Sequence, residues 1–191
     1  MTKLIYVAII SAFVNNVVLG QMFGVNAAIK GSEKMGNALR LSVSVIIVTF
    51  FSSVITWPLS EFVLGKFNFE FLQTIVFLLV EAIIVAILTT IVNRRFSHKR
   101  KIYGRILPLI VINSAVLGVI LTNVQVGYSF LRSAVNSVCG GLGFAIAVII
   151  LAGVRERIAF NDVPKPFEGV PILLVTSGLM AIAFYGFTGL L

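Results

Sequence analysis

The stretch Leu107-Pro108-Leu109-Ile110-Val111-Ile112-Asn113-Ser114-Ala115-Val116-Leu117-Gly118-Val119 decides the fold. Its centre has a second copy near the N-terminus. Asn15-Asn16-Val17-Val18-Leu19-Gly20 reads against Asn113-Ser114-Ala115-Val116-Leu117-Gly118, 98 positions apart in a chain of 191 residues. Both follow the pattern Asn-[Asn/Ser]-x-Val-Leu-Gly, which sets amides and a glycine inside runs otherwise fit for lipid. Unsatisfied amides cost several kcal/mol in hydrocarbon. These must therefore face protein, a cavity or each other. The repetition predicts two related halves, each bringing one such element to a shared centre.

Around these copies the chain is apolar. Hydrophobic residues make up 59% and charged residues 12%, outside the range of soluble globular domains. Uncharged or nearly uncharged runs cover 4–29, 41–60, 71–93, 106–131, 133–154 and 169–191. A helix crossing the hydrocarbon core needs about 20 mostly apolar residues. The expectation is an all-α polytopic membrane protein with six transmembrane helices in a single membrane domain over 1–191. Two three-helix repeats, 1–95 and 104–191, flank a basic loop at 94–105. Three spans per half is an odd number, so the second repeat enters the membrane inverted. The first helix of each half is expected to be broken: Gly20 and Gly24 loosen the end of one, and Pro108 enters the other with Gly118 and Asn123 following. Met1–Gly20 reads as a retained span, since its run continues past Gly20 without a small-x-small cleavage site. Trp57-Pro58 is expected to end the second span at the membrane interface.

The net charge of +8 is a topology signal rather than a nucleic-acid signal. Alternate gaps between the runs face alternate sides. Lys30, Lys34, Arg40, the cations of 94–105, Arg155, Arg157 and Lys165 collect on one side. Lys3, Lys66 and Arg132 remain on the other. Basic loops stay cytoplasmic, which predicts both termini outside a bacterial or archaeal plasma (inner) membrane.

Chemistry-bearing residues are few. Glu81 sits mid-span, where a charged acid costs about 2.5–3.5 kcal/mol on insertion scales. It reads either as a step in an ion pathway or as a buried, hydrogen-bonded acid. Asn15, Asn16 and Asn113 are the expected central polar site. His98 is the only histidine and lies among cations, a poor metal site. Cys139 is the only cysteine, which excludes an internal disulfide. Cys139-Gly140-Gly141-x-Gly143 follows no strand and reads as helix contact rather than a phosphate loop. No His–carboxylate or Ser–His–Asp set exists, so no catalytic residue and no metal site is expected. The loop Val154–Gly169 reads as a solvated turn stiffened by Pro164 and Pro166, or as a docking point for a cytoplasmic partner.

Three motifs together carry a resemblance. They are 13–19 with its Asn pair, Leu107-Pro108 with 113–119, and Arg155-Glu156-Arg157 with Asp162-Val163-Pro164 and Pro166-Phe167. In these the chain resembles the RnfA/RsxA family, membrane components of the Rnf ion-translocating electron-transport complex, over nearly its whole length. NqrE of the sodium-pumping NADH:quinone oxidoreductase is a near relative of that family. The resemblance implies a complex moving electrons between ferredoxin and NAD, coupled to Na+ or H+ transport. It implies other Rnf-type subunits as partners, among them a homologous, RnfE-like membrane subunit of opposite topology. It further implies an intramembrane iron–sulfur cluster held by one cysteine from each broken helix and two from that partner. The family cysteines fall here on Asn26 and Ser114, and the proline after the first on Ala27. Amide and hydroxyl oxygens are poor substitutes for thiolate, so the expectation is a centre lost or altered. Glu81 lies where relatives usually carry an apolar residue. The alternative expectation is a redox-silent relative, serving as an ion or small-solute pathway or as a scaffold.

Overall fold

The structure is a computed structural model that describes residues 7–67, 69–95, 110 and 113–189. It is all-helical among these residues. A first helical turn ends in a π-helical turn at Ile10–Val14, followed by irregular backbone to Gly24. Then come α1 (Val25–Gly31), α2 (Met35–Leu59), α3 (Gln73–Arg95), α4 (Ser114–Gln125), α5 (Phe130–Ile158) and α6 (Val170–Tyr185). Three continuous helical stretches are long and apolar enough to cross a bilayer: Met35–Leu64, Glu70–Val92 and Phe130–Ile158. The shortest of these, 23 residues, spans about 34 Å at 1.5 Å per residue, more than the ~30 Å core. The apolar helices α4 and α6 are shorter. The 12 residues of α4 reach only about 18 Å.

Helices α2 and α5 form the centre, with the largest contact between any two elements. Their sequences explain why. On α5, Ser133, Asn136, Ser137, Gly140, Gly141 and Phe144 recur at steps of three and four and are all buried. On α2 the buried set Leu41, Ser42, Val45, Val48, Thr49, Ser52 has the same spacing. Both stripes are rich in small residues, which let backbones approach where lipid gives apolar contacts no advantage over one another. A Cβ on Gly141 would lie 3.0 Å from the Cα of Ile46. The opposite face of α2 carries Leu39, Val43, Ile47, Phe51 and Ile55, every fourth residue, all exposed. On α3 the exposed row is Ile75, Leu79, Ile83, Ile87 and Ile91, and the buried row holds Phe77, Glu81, Ile84 and Val85. Apolar groups face outward and hydroxyls inward, as lipid surroundings demand. Some inward hydroxyls bond within their own helix, as in Ser42 Oγ to Ala38 O (2.7 Å) and Thr49 Oγ1 to Val45 O (2.6 Å). Ser53 Oγ crosses to Ser133 O (3.3 Å), and Ser52 Oγ has no partner among the described residues.

Two sequence expectations change. Pro58 does not end the second span: α2 runs through it to Leu59 and widens into a π-helical turn at Ser60–Leu64. Proline removes one backbone donor and crowds the preceding turn, and the wider turn that follows accommodates the defect without stopping the helix. Trp57 fastens this end instead. Its Nε1–H donates to Tyr128 O (2.8 Å), and its ring meets Phe62 and Phe130 edge-on. Nor is Arg155 merely solvated. Its Nη1 donates to Ile29 O (3.0 Å), placing a cation at the C-terminal carbonyls of α1. Leu107, Pro108, His98 and most of the loop 94–105 lie outside the described residues.

Candidate functional site

The first break is built around Asn16, which is fully buried. Its Nδ2 donates to Ala12 O (3.0 Å) and across to Gly143 O (2.8 Å). Its Oδ1 accepts from the N–H groups of Val18 (3.0 Å) and Leu19 (3.1 Å). One side chain thus closes the helix before it and serves two backbone donors freed after it, so the irregular backbone keeps its hydrogen bonds. Gly143 makes this possible, because a Cβ there would lie 2.8 Å from Ala12 O.

The second break starts at Asn113. Its backbone is extended, and its Oδ1 accepts from Ala115 N (3.1 Å), the bond of an N-cap. The two breaks touch. Gly24 N–H donates to Ser114 Oγ at 2.8 Å. Gly24 has φ +73°, and a Cβ there would lie 2.8 Å from Asn113 Oδ1 and 2.7 Å from Ala115 Cβ. Left-handed backbone and close approach both demand glycine here. One turn further along α4, Gly118 receives the ring of Phe23.

The structure distributes the sequence-derived residues unevenly. Asn16 and Asn113 are buried, whereas Asn15 is exposed. Asn26, in the first turn of α1, and Ser114 are exposed as well. Glu81 is 1% exposed. The backbone N–H of Asn113 points to its carboxyl, which ties α3 to the second break. Among the described residues, Glu81 Oε1 and Asn113 Nδ2 have no hydrogen-bond partner.

A second polar system is not among the sequence-derived residues. Asn136 Nδ2 donates to Asn123 Oδ1 (2.7 Å), and Asn123 Nδ2 donates to Ser137 Oγ (2.9 Å) and Ser53 Oγ (3.1 Å). Ser11 Oγ donates to Asn136 Oδ1. This chain links the first helical turn to α5, α4 and α2. Beside it Ser11, Asn15, Gln21, Thr122 and Asn136 line a cavity of about 20 Å³, room for about one water. Its sequence signal is the three-and-four spacing of Ser133, Asn136, Ser137 and Gly140, which marks a polar stripe on one helix face.

An iron–sulfur cluster does not fit the donors this chain presents. Asn26 offers an amide, and Ser114 a hydroxyl already accepting from Gly24. Cys139 is half-buried within α5, away from either break in sequence. Among the described residues no three His, Cys, Asp or Glu side chains are grouped to hold a metal.

Fold and site together define an all-helical protein with helices fit to cross a membrane, in which the irregular backbone up to Gly24 meets the N-terminus of α4 at Asn113 and Ser114. Comparison with known proteins gives its kinship. The chain belongs to the Rnf-Nqr family, whose model, "Rnf-Nqr subunit, membrane protein", matches residues 4–191. It is 40% identical over 187 residues to one of the subunits of the Na(+)-translocating ferredoxin:NAD(+) oxidoreductase complex of Acetobacterium woodii, covering 98% of this chain and 97% of that one. It is 39% identical over 192 residues to the corresponding subunit of the ion-translocating oxidoreductase complex of Azotobacter vinelandii, covering 100% and 99%. The counterpart of the same description from Syntrophotalea carbinolica is 40% identical over 190 residues, covering 100% and 98%.

Proposed function

We propose that this chain is an integral membrane subunit of an Rnf-type ion-translocating oxidoreductase complex. That complex couples electron transfer between ferredoxin and NAD to Na+ or H+ transport. The single observation that carries this is kinship with subunits of such complexes across both chains' full lengths. The chain acts within its complex, with no catalytic residue of its own. In this reading the six runs form six spans, as inverted halves 1–95 and 104–191 around the loop 94–105, with both termini outside the inner membrane. A homologous, RnfE-like subunit of opposite topology packs against the face where Asn26 and Ser114 are exposed. These two residues stand where the family's cluster cysteines would be, and with them the intramembrane centre is lost or held without this chain. Asn16 and Asn113 form the buried part of the central polar site, Asn15 lines the small cavity beside it, and Glu81 belongs to the ion pathway. A redox-silent role, as ion or solute pathway or as scaffold, draws on one observation: the absence of thiolates at both breaks.

Purification from gently solubilised membranes tests the reading. Other Rnf-type subunits should come with this chain, and the replacements N26A and S114A should leave iron per complex unchanged. Purification of the chain alone, with solute transport in vesicles, would replace this reading with the redox-silent one. Loss of a cluster from the S114A complex would show that the hydroxyl side chain holds it after all.

A further inference from the structure

Glu81 is the only acid of α3, and 1% of its surface is exposed. Its carboxyl lies at the start of α4, with the N–H of Asn113 pointing to it and Oε1 without a partner among the described residues. The buried groups that share its face of α3 are Phe77, Ile84 and Val85, all apolar. The turn that leads into α3 carries Glu70, about 16 Å along the chain from Glu81, and among the described residues α2 and α4 place no charged side chain beside it. Helix α4 has none from Ser114 to Gln125. The one charged residue of α2 is Arg40, which lines a groove with Leu88 and Val92, roughly 10–16 Å along α3 from Glu81. Arg94 and Arg95 stand about 20 Å along the same helix.

The N–H of Asn113 gives the carboxyl one hydrogen-bond donor. A sodium ion would need a shell of oxygens, and among the described residues no three His, Cys, Asp or Glu side chains are grouped to begin one. A proton needs only Oε1 itself. We infer that Glu81 is a proton-carrying site: an O–H bond forms at Oε1 with a proton from water, and breaks again as the proton returns to water. The charge on Glu81 then sets the strength of its bond to the Asn113 N–H. Uptake and release act directly on the cap of α4 and, through Gly24 and Ser114, on the other break. The inference rests on the ion-translocating reading above and names its ion.

A hydrophobic carbodiimide, which reacts with protonated carboxyls in membranes, gives the test. A route for it exists in an apolar groove of about 320 Å³ between α2 and α3, which reaches Val85 and Ile110, one turn from Glu81 at the former. Dicyclohexylcarbodiimide applied to the purified complex should modify Glu81, located by mass spectrometry. The labelling should fall as pH rises and stay unchanged when sodium chloride replaces choline chloride. Electron-transfer-driven proton uptake should fall roughly tenfold or more in E81Q and be partly restored in E81D. Sodium protection of Glu81 would overturn the inference in favour of a sodium site. Absence of labelling at acid pH in sodium-free buffer, or wild-type proton uptake by E81Q, would overturn it outright. Labelling is read on the chain whatever partners it has, so it fails or succeeds separately from the co-purification that tests the functional reading.

Discussion

Asn15 and Asn16 show how far adjacent residues can part. The sequence makes them a pair, and the shared motif with Asn113 marks where helix gives way. Burial is decided by backbone path, and Asn16 alone turns inward to meet Ala12, Gly143, Val18 and Leu19. Removing that amide takes a donor from two carbonyls and an acceptor from two N–H groups inside the protein. N16A should therefore lower stability in detergent by roughly 1–3 kcal/mol, whereas N15A should change it by less than about 0.5 kcal/mol. Thermal unfolding of the two variants side by side measures this, and equal losses would contradict the assignment. Glu81 is legible in the sequence as a mid-span acid. Its partner is not, because the bond joins residues from different halves of the chain, and no local pattern encodes that.

At the scale of the element, the apolar runs foretell the long helices well, since a span of lipid imposes length and composition directly. The short ones depend on contacts invisible to that rule. Helix α1 has seven residues, too few to persist by propensity. Its carbonyl end is held by Arg155 from α5 and by Ser32, both at Ile29 O. A motif arginine that sequence alone leaves in solvent is thus a cap. R155A should destabilise the α1 region by about 0.5–1 kcal/mol, seen as faster amide exchange over 25–31, and R155K should recover part of the protection. Unchanged exchange in R155A would show that Ser32 suffices. Pro58 gives the opposite lesson: a strong local stop signal yields to the continuous interface that α2 makes with α5.

For the molecule as a whole, the decisive feature is that the irregular backbone ending at Gly24 and the start of α4, distant in sequence, meet. The repeated motif makes this legible in outline, because amides in lipid need company. It cannot show that Gly24 is the point of contact, since glycine's freedom of φ is used only once the chain has turned. Nor can it show that Asn26 and Ser114 both open to the surface, where the proposed partner rather than this chain would complete the site. The contact itself is the most direct thing to measure. In a C139A background, cysteines at positions 26 and 114 should be joined within one chain by a short bis-methanethiosulfonate cross-linker, in membranes and in high yield. Failure to cross-link, with each cysteine alone reacting freely, would mean that the two breaks stand apart and that the centre described here does not exist.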